Sequence, residues 1–289
     1  MSSIKEYNRK LKSLQNTKKI TNTMKMVSSS KLRKAHQAQT NAKLYAKNLT
    51  MLTSRIAGCV ENSMHPLLEA HARIQKALIL MITSDKGLCG AFNHNAHRRV
   101  LSWFKENKEK YAQIDLVCCG KKGFQFFKNK MTVKAHYEAV TESPRFASAM
   151  KIGEDLKNFY LTREYDEVYL ACNQFFSPLL QKTIFEKILP IDAQAFIRQD
   201  ISRKHDYLFE PSAKEMLEFL IPHFLYFKIY FALLENSAGE HGARMAAMDN
   251  ATKNTSELME RYTLLRNRAR QEQITRELIE ITTGQEMLN

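Results

Sequence analysis

The sequence is poor in residues that break regular structure, with only 9 glycines and 6 prolines among 289 positions. This scarcity excludes collagen-like chains and disordered chains rich in proline and glycine. Hydrophobic residues make up 44% and charged residues 26% of the chain, which is typical of a folded soluble protein. At this length we expect one or two domains.

Membrane-spanning and targeting segments are not apparent. The most apolar run is residues 78–82 with their neighbours. This run is far shorter than the roughly 18 to 20 residues that cross a bilayer. The N-terminus runs into a polar, basic pattern with an early acid, Glu6, so no secretory signal or transit peptide is expected. The 5 cysteines lack paired spacing, which predicts reduced thiols in a cytosolic setting and no zinc site.

Motifs for catalysis or for a cofactor are also missing. The patterns G-x-x-x-x-G-K-[ST], G-x-G-x-x-G, H-E-x-x-H and G-x-S-x-G do not occur. Two glycine-bearing loops, 84–90 and 120–123, follow predicted strands. Turn formation and helix capping are the favoured interpretation of both loops, and phosphate binding is the alternative. We therefore expect no catalytic residue, no cofactor and no metal.

Acidic residues are nearly absent from the first 56 positions, which hold thirteen basic side chains and one acid, Glu6. This segment carries a net charge of +12, most of the +14 of the whole chain. Concentrated positive charge predicts an acidic partner, whether nucleic acid, anionic lipid or an acidic protein. A solvated helix face is the alternative, but few acids are available for the i,i+4 pairs that support such a face.

Helical periodicity marks both ends of the chain. In segment 1–58, apolar residues recur every three or four positions at Ile4, Tyr7, Leu11 and Leu14, and again at Ala42, Tyr45, Leu49, Leu52 and Ile56. Small and polar residues interrupt the repeat between these runs. Segment 212–288 has a similar apolar pattern and only one proline. Because neither helix can bury its stripe alone, we predict that they pair as a long antiparallel coiled coil, a rod of roughly 80 Å projecting from a globular body.

The middle of the chain, residues 70–205, has a different period. Short apolar runs predict strands at 76–82, 114–119 and 167–172, with helices at 94–111, 122–128 and 145–161 between them. A fourth strand is predicted at 183–189, where the following proline favours an antiparallel edge position. This alternation is typical of a mainly parallel sheet. The predicted fold class is therefore α and α/β, a terminal antiparallel coiled coil plus a central Rossmann-like α/β domain.

Five blocks of sequence together resemble the γ subunit of F-type ATP synthases, of the bacterial type. They are residues 16–27 with 31–32, 84–93, 207–211, 243–254 and 273–281. The blocks occur in the family's order and cover the whole chain. Gly239 is a departure, since the family usually carries serine there, and we expect it to cost up to about 1 kcal/mol of helix stability.

The resemblance implies a rotor. The paired helices would stand inside a ring of alternating α and β subunits, and the α/β domain would rest on the c-subunit ring beside ε. Proton flow would turn the c ring and this chain, while β subunits would make or hydrolyse ATP. The chain would not be an enzyme by itself. It would be peripheral on the cytoplasmic face of a bacterial inner membrane, attached through the c ring only, and would bind no nucleic acid.

The resemblance also assigns residues. Met24 and Lys25 would lie near acidic loops of β, while four positions on the second helix would engage α and β: Arg244, Gln271, Thr275 and Glu277. Tyr207 and Glu210 would fall at the end that meets the c ring and ε. We expect Arg244→Ala to lower both synthesis and hydrolysis while leaving the chain folded.

Two alternatives from other classes remain at this stage. The basic first helix alone would permit a coiled-coil protein that binds nucleic acid, which predicts strongly salt-dependent duplex binding. An α/β enzyme with a coiled-coil dimerisation arm predicts turnover by the purified chain and a substrate pocket behind Gly87 or Gly120.

Overall fold

The structure, a computed structural model, describes residues 4–57, 65–192, 210 and 212–286. The long helices predicted at both ends are confirmed, with an α/β region between them. In chain order the elements are α1 (Ile4–Ala57), β1 (Lys76–Ile82), α2 (Phe92–Asn107), β2 (Gln113–Cys119), α3 (Lys121–Phe127), β3 (Val133–Tyr137), α4 (Phe146–Leu161), β4 (Glu167–Phe175), β5 (Gln181–Leu189) and α5 (Ala213–Glu286).

The chain divides into two compact units. The terminal unit consists of residues 1–28 and 245–289, and the central unit of residues 29–244. Both long helices therefore contribute to both units. The domain limits expected from the sequence, 1–58, 70–205 and 212–288, stay a prediction.

The central unit is built on a five-stranded sheet in the order β3-β2-β1-β4-β5. The first four of these strands are parallel, and β5 runs antiparallel to β4 at one edge. The predicted parallel sheet and its antiparallel edge strand are thus confirmed. Strand β3 was not predicted, because its five residues include lysine and histidine and are only half-buried or exposed.

Side-chain alternation gives the sheet two buried faces. On one face, Leu78 and Leu80 of β1 belong to a core shared with α1, α4 and α5. On the other face, Ile79 and Met81 pack with residues of α2 and α3. Nearly continuous apolar strands such as β1 are typical of a parallel sheet that is covered on both sides.

The first part of α5 is more apolar than the sequence analysis recognised. Among the described residues, α5 alone contains an 18-residue window long and apolar enough to cross a membrane by composition. However, 56% of that window is buried inside the protein. Ile221, Leu225 and Leu233 lie in the core of the central unit. This burial is typical of the core helix of a soluble protein.

The predicted antiparallel pairing of α1 and α5 is confirmed in each unit. In the terminal unit, the rings of Tyr7 and Tyr262 are 6.3 Å apart, and the hydroxyls of Thr21 and Thr252 are 2.8 Å apart. In the central unit, Gln39 Nε2 donates to Glu235 Oε1 at 3.3 Å. The residue number on α5 falls as the number on α1 rises, so the helices run in opposite directions.

The seam between these helices differs from the predicted one. In the middle of α1, where small and polar residues interrupt the predicted repeat, Thr21 and Ser28 are buried and Ile20 and Val27 are exposed. Further along, Tyr45 and Leu52 are exposed, while Gln39 and Thr53 are buried in their place. Hydroxyl side chains can enter the seam because their own helix supplies an acceptor, as when Thr53 donates to the Leu49 carbonyl at 2.8 Å.

Candidate functional site

Lys25, expected to meet a partner, lies in an ion pair of the terminal unit. Its Nζ is 2.6 Å from Asp249 Oδ1, and Lys253 Nζ is 3.0 Å from the other carboxylate oxygen. The hydrogen bonds from Lys25 and Lys253 lower the pKa of Asp249. The Lys25 side chain is still 41% exposed, and Met24 beside it is half-buried. An exposed pair of this kind exchanges partners easily, because water screens both charges.

The start of α1 presents a basic surface that the sequence analysis described only in part. Lys10 Nζ lies 5.5 Å from the centre of the Tyr262 ring, and that contact brings this end of α1 to the arginine-rich turns of α5. Four arginines lie within ten residues there without an acid among them: Arg261, Arg266, Arg268 and Arg270. The sequence analysis missed these arginines, although the uninterrupted run of one charge sign was a sufficient signal.

The last turns of α5 carry three of the predicted partner contacts. Because Tyr262 lies opposite Tyr7, residues of α5 from 271 onward extend past Ile4, where α1 begins. Gln271, Thr275 and Glu277 are all exposed, and the Thr275 hydroxyl donates to the Gln271 carbonyl at 3.0 Å. Apolar side chains are exposed in the same stretch: Ile274, Leu278, Ile279 and Ile281. An exposed patch of this kind is typical of a surface that meets a partner.

Arg244 is placed apart from the other predicted contacts. It is only 7% exposed and belongs to the central unit. Its Nε and Nη2 donate to the Gly87 carbonyl at 3.2 and 3.0 Å, and Nη2 also donates to the Lys86 carbonyl at 3.3 Å. Nη2 lies 2.7 Å from Glu240 Oε1. Arg244 therefore holds the 84–90 loop to α5, and its contact with a partner stays a prediction.

Burial changes the protonation of the groups next to Arg244. The pKa of His241 falls to about 4, mainly because burial disfavours the charged ring and secondarily because Arg244 is close. Burial raises the pKa of Glu240, and the attraction of Arg244 opposes that rise. The positive charge of Arg244 is thus the main interaction that offsets the cost of burying the Glu240 carboxylate.

The crevice at the carboxyl ends of the strands, where α/β proteins usually bind ligands, is filled by α5. Asn236 Nδ2 donates to the Thr83 carbonyl directly after β1, at 3.4 Å. At Gly239, an added Cβ would lie 2.9 Å from a ring carbon of Phe92, the first residue of α2. Gly239 therefore does more than lower helix propensity. Because it has no side chain, it also permits α5 to pack closely against Phe92.

Two residues, Tyr207 and Glu210, are expected at the end that meets the c ring. Tyr207 lies outside the described residues, and Glu210 is exposed. Their roles stay predictions.

Glu235, which the sequence analysis did not single out, is a buried carboxyl between α5 and α1. Burial raises its pKa to about 7, although hydrogen bonds with Gln39 and Gln174 oppose the rise. Because the folded pKa exceeds the ordinary value of 4.5, folding favours the protonated form. The stabilisation that depends on this proton is complete below about pH 4.5 and is lost as the pH rises through 7.

We expect Glu235→Gln to make the chain about 3 kcal/mol more stable than the wild type at pH 8. At pH 4.5 the two proteins should be nearly equal, because glutamine resembles the protonated acid. Urea unfolding at several pH values between 4.5 and 8 measures the difference. The control is Glu257→Gln, the same change at an exposed site of α5, which should leave the profile unaltered. The prediction would be contradicted if the free energy of unfolding changed with pH in the same way for the wild type and for Glu235→Gln.

The family comparison matches almost the entire chain. A family model described as ATP synthase matches residues 3–288. The ATP synthase gamma chain of Geobacter metallireducens is 39% identical over 288 residues, covering 100% of this chain and 99% of the relative. That of Trichlorobacter lovleyi is 38% identical over 288 residues with the same coverage. That of Aquifex aeolicus is 36% identical over 286 residues, covering 98% of this chain and 97% of the relative.

Solved structures share the fold. A chain of the Euglena gracilis mitochondrial ATP synthase, in a structure of its OSCP, F1 and c-ring, gives a TM-score of 0.66 at 20% identity, covering 99% of this chain and 94% of the other. A chain of the Tetrahymena thermophila mitochondrial ATP synthase central stalk and c-ring gives 0.60 at 24% identity, covering 80% of this chain and 99% of the other. The fold class predicted from the sequence is confirmed.

Proposed function

Because the chain belongs to the family of ATP synthase gamma chains, we propose that it is the central rotor of a bacterial F-type ATP synthase. It transmits torque between a c ring, turned by proton flow, and a ring of α and β subunits that makes or hydrolyses ATP. It catalyses no reaction alone and needs no cofactor. It is held at the cytoplasmic face of the inner membrane through the c ring, with ε beside its α/β region.

One observation carries this proposal beyond family membership: the antiparallel pairing of α1 and α5 beside an exposed end of α5. A shaft must resist twisting, and pairing supports each helix along its length better than isolated helix propensity can. The exposed apolar residues of α5 after position 271 provide a surface for contact with the surrounding subunits. Gln271, Thr275 and Glu277 are exposed on this end, and we propose that they are its polar contacts with α and β.

Positive charge on the terminal unit suits a rotating contact. Ionic attraction varies gently with distance, whereas a hydrogen bond demands a fixed geometry. Lys25 and Met24 are the positions that meet acidic loops of β, and the arginines 261–270 extend the same charge. Neither the family nor the relatives support the alternative of nucleic-acid binding.

Reconstitution tests the proposal. Purified chain is mixed with α and β subunits from the same organism, complexes are isolated by size, and ATP hydrolysis is assayed with the full chain and with a chain ending at residue 269. We expect one copy of the full chain per ring, multi-site hydrolysis that depends on it, and weaker hydrolysis with the shortened chain. No assembly with active, folded partners would contradict the proposal, as would sustained hydrolysis by this chain alone.

We expect Lys25→Ala to weaken torque transmission without a measurable change in the melting temperature. The substitution removes the charge offered to β, but Asp249 keeps its second cation, Lys253. Coupled ATP synthesis in membrane vesicles is measured at low and high salt, and the difference from wild type should shrink as salt screens the attraction. Lys253→Ala is the matched control, since it removes the other cation of the same carboxylate. An equal loss of coupled ATP synthesis in both variants would contradict a contact between Lys25 and β, because it would trace the loss to the ion pairs with Asp249 within this chain.

A further inference from the structure

Strand β5 leaves one side of the sheet open. It is the last strand in the order β3-β2-β1-β4-β5, and within the described residues it pairs with β4 alone. Every second N–H and C=O of β5 therefore points away from β4, which makes this edge a template for another strand.

A groove of about 680 Å³ follows this edge. Residues of α2, β4, β5 and α5 line it, so helices flank the edge strand on both faces of the sheet. The lining residues that matter here are Arg99, Lys182, Ile184, Phe185, Lys228 and Phe231.

Apolar side chains are available on both faces of this edge. Phe185 packs against Trp103, with ring centres 4.8 Å apart, on the face covered by α2. The next residue back, Ile184, packs against the core on the face covered by α5, and Phe231 lies there too. Both β5 residues are only half-buried. An added strand would place alternate side chains on these two faces, as strand geometry requires.

The groove carries more positive than negative side chains, with three cations, Arg99, Lys182 and Lys228, against two carboxyl groups, Glu186 and Glu235. Lys228 Nζ is 3.4 Å from Glu186, so these two charges largely offset each other. Arg99 and Lys182 make no ion pair within the part of the chain that the structure describes. Arg99 instead lies over the Phe185 ring, 5.7 Å from its centre. A segment that fills the groove would be attracted to these two cations if it carried acidic side chains.

We propose that an extended acidic segment of another subunit of the complex adds to the free edge of β5 as a further strand. Main-chain hydrogen bonds to β5 provide the affinity, while Arg99 and Lys182 select acidic side chains. This inference rests on the proposed function, because it requires that the chain is assembled with partner subunits. It adds a docking site on the central unit, separate from the contacts of the terminal unit.

Hydrogen exchange on the assembled complex tests this inference. Amide exchange along residues 181–189 is compared between the isolated chain and the complete ATP synthase. We expect every second amide of β5 to exchange on the order of tenfold more slowly in the complex, because the outward-facing N–H groups acquire acceptors. Unchanged exchange along β5 in an assembled, active complex would overturn the docking site while leaving the proposed function intact. Failure of the chain to assemble would instead overturn the proposed function.

Charge reversal tests the choice of an acidic partner. We expect Arg99→Glu with Lys182→Glu to abolish most of the protection of β5 on assembly, whereas Lys128→Glu, at the exposed position directly after α3, should preserve it. The amides of β4 report whether each variant is folded. Protection that spreads evenly over consecutive amides, or that persists after charge reversal, would contradict strand addition by an acidic segment. A small anion bound in the groove would slow amide exchange without the alternation between every second residue of β5, and that result would contradict strand addition.

Discussion

Replacing Gly120 by alanine is expected to destabilise the central unit by roughly 3 to 5 kcal/mol. Gly120 follows β2 with a φ of +95°, a region that residues with a side chain rarely adopt. An added Cβ would also lie 2.9 Å from the carbonyl carbon of Thr83, a backbone atom at the end of β1. Neither the backbone angle nor the neighbouring strand can adjust without disturbing the sheet.

Urea unfolding of the isolated chain measures this effect. Gly87→Ala is the matched control, because the added Cβ there would meet only the end of the Lys122 side chain at 3.7 Å. We expect the control to unfold within about 1 kcal/mol of the wild type. A Gly120→Ala chain as stable as the control would show that the turn after β2 can relax, against the packing described here.

Arg244→Ala is expected to cost about 3 kcal/mol of stability and to lower both synthesis and hydrolysis of ATP. The substitution removes the donors that hold the carbonyls of Lys86 and Gly87, and it leaves Glu240 buried without its cation. The sequence analysis expected loss of function in a chain that stays folded. The structure adds a cost in stability, because Arg244 is an internal brace of the central unit.

A second variant separates these two effects. Glu240→Gln combined with Arg244→Ala removes the stranded carboxyl, so we expect it to recover about half of the lost stability. The 84–90 loop remains unheld in this double variant, and activity should therefore stay low. Chemical denaturation gives the stability, and ATP-driven proton pumping in vesicles gives the activity. If the double variant recovers activity together with stability, Arg244 acts only through the fold.

Much of the fold was predictable because its signals are local. Periodicity at both ends predicted α1 and α5, and apolar runs predicted β1 and the antiparallel β5. The misplaced seam has a physical cause, since Thr53 bonds to its own helix and so enters a position that a hydropathy pattern reserves for Leu52. Similarly, β3 was missed because an edge strand needs few apolar residues.

The candidate site was less predictable from residues alone. Arg244 and Gly87 are 157 positions apart in the sequence, and only the folded chain brings them together. Spacing also could not indicate that α5 fills the strand-end crevice, since that depends on the small size of Gly239 where it meets Phe92. The charge of α1, in contrast, was evident from composition, and its extension by the arginines of α5 follows from the antiparallel pairing.

Direct observation of rotation tests the central claim. The ring of α and β subunits is fixed to a surface, and a fluorescent probe is attached to this chain through Lys108→Cys, at the exposed position directly after α2. Four native cysteines, Cys89, Cys118, Cys119 and Cys172, are buried and free, and Cys59 is replaced by serine. We predict stepwise rotation of the probe in one direction while ATP is hydrolysed. Continued hydrolysis with a stationary probe would contradict the account.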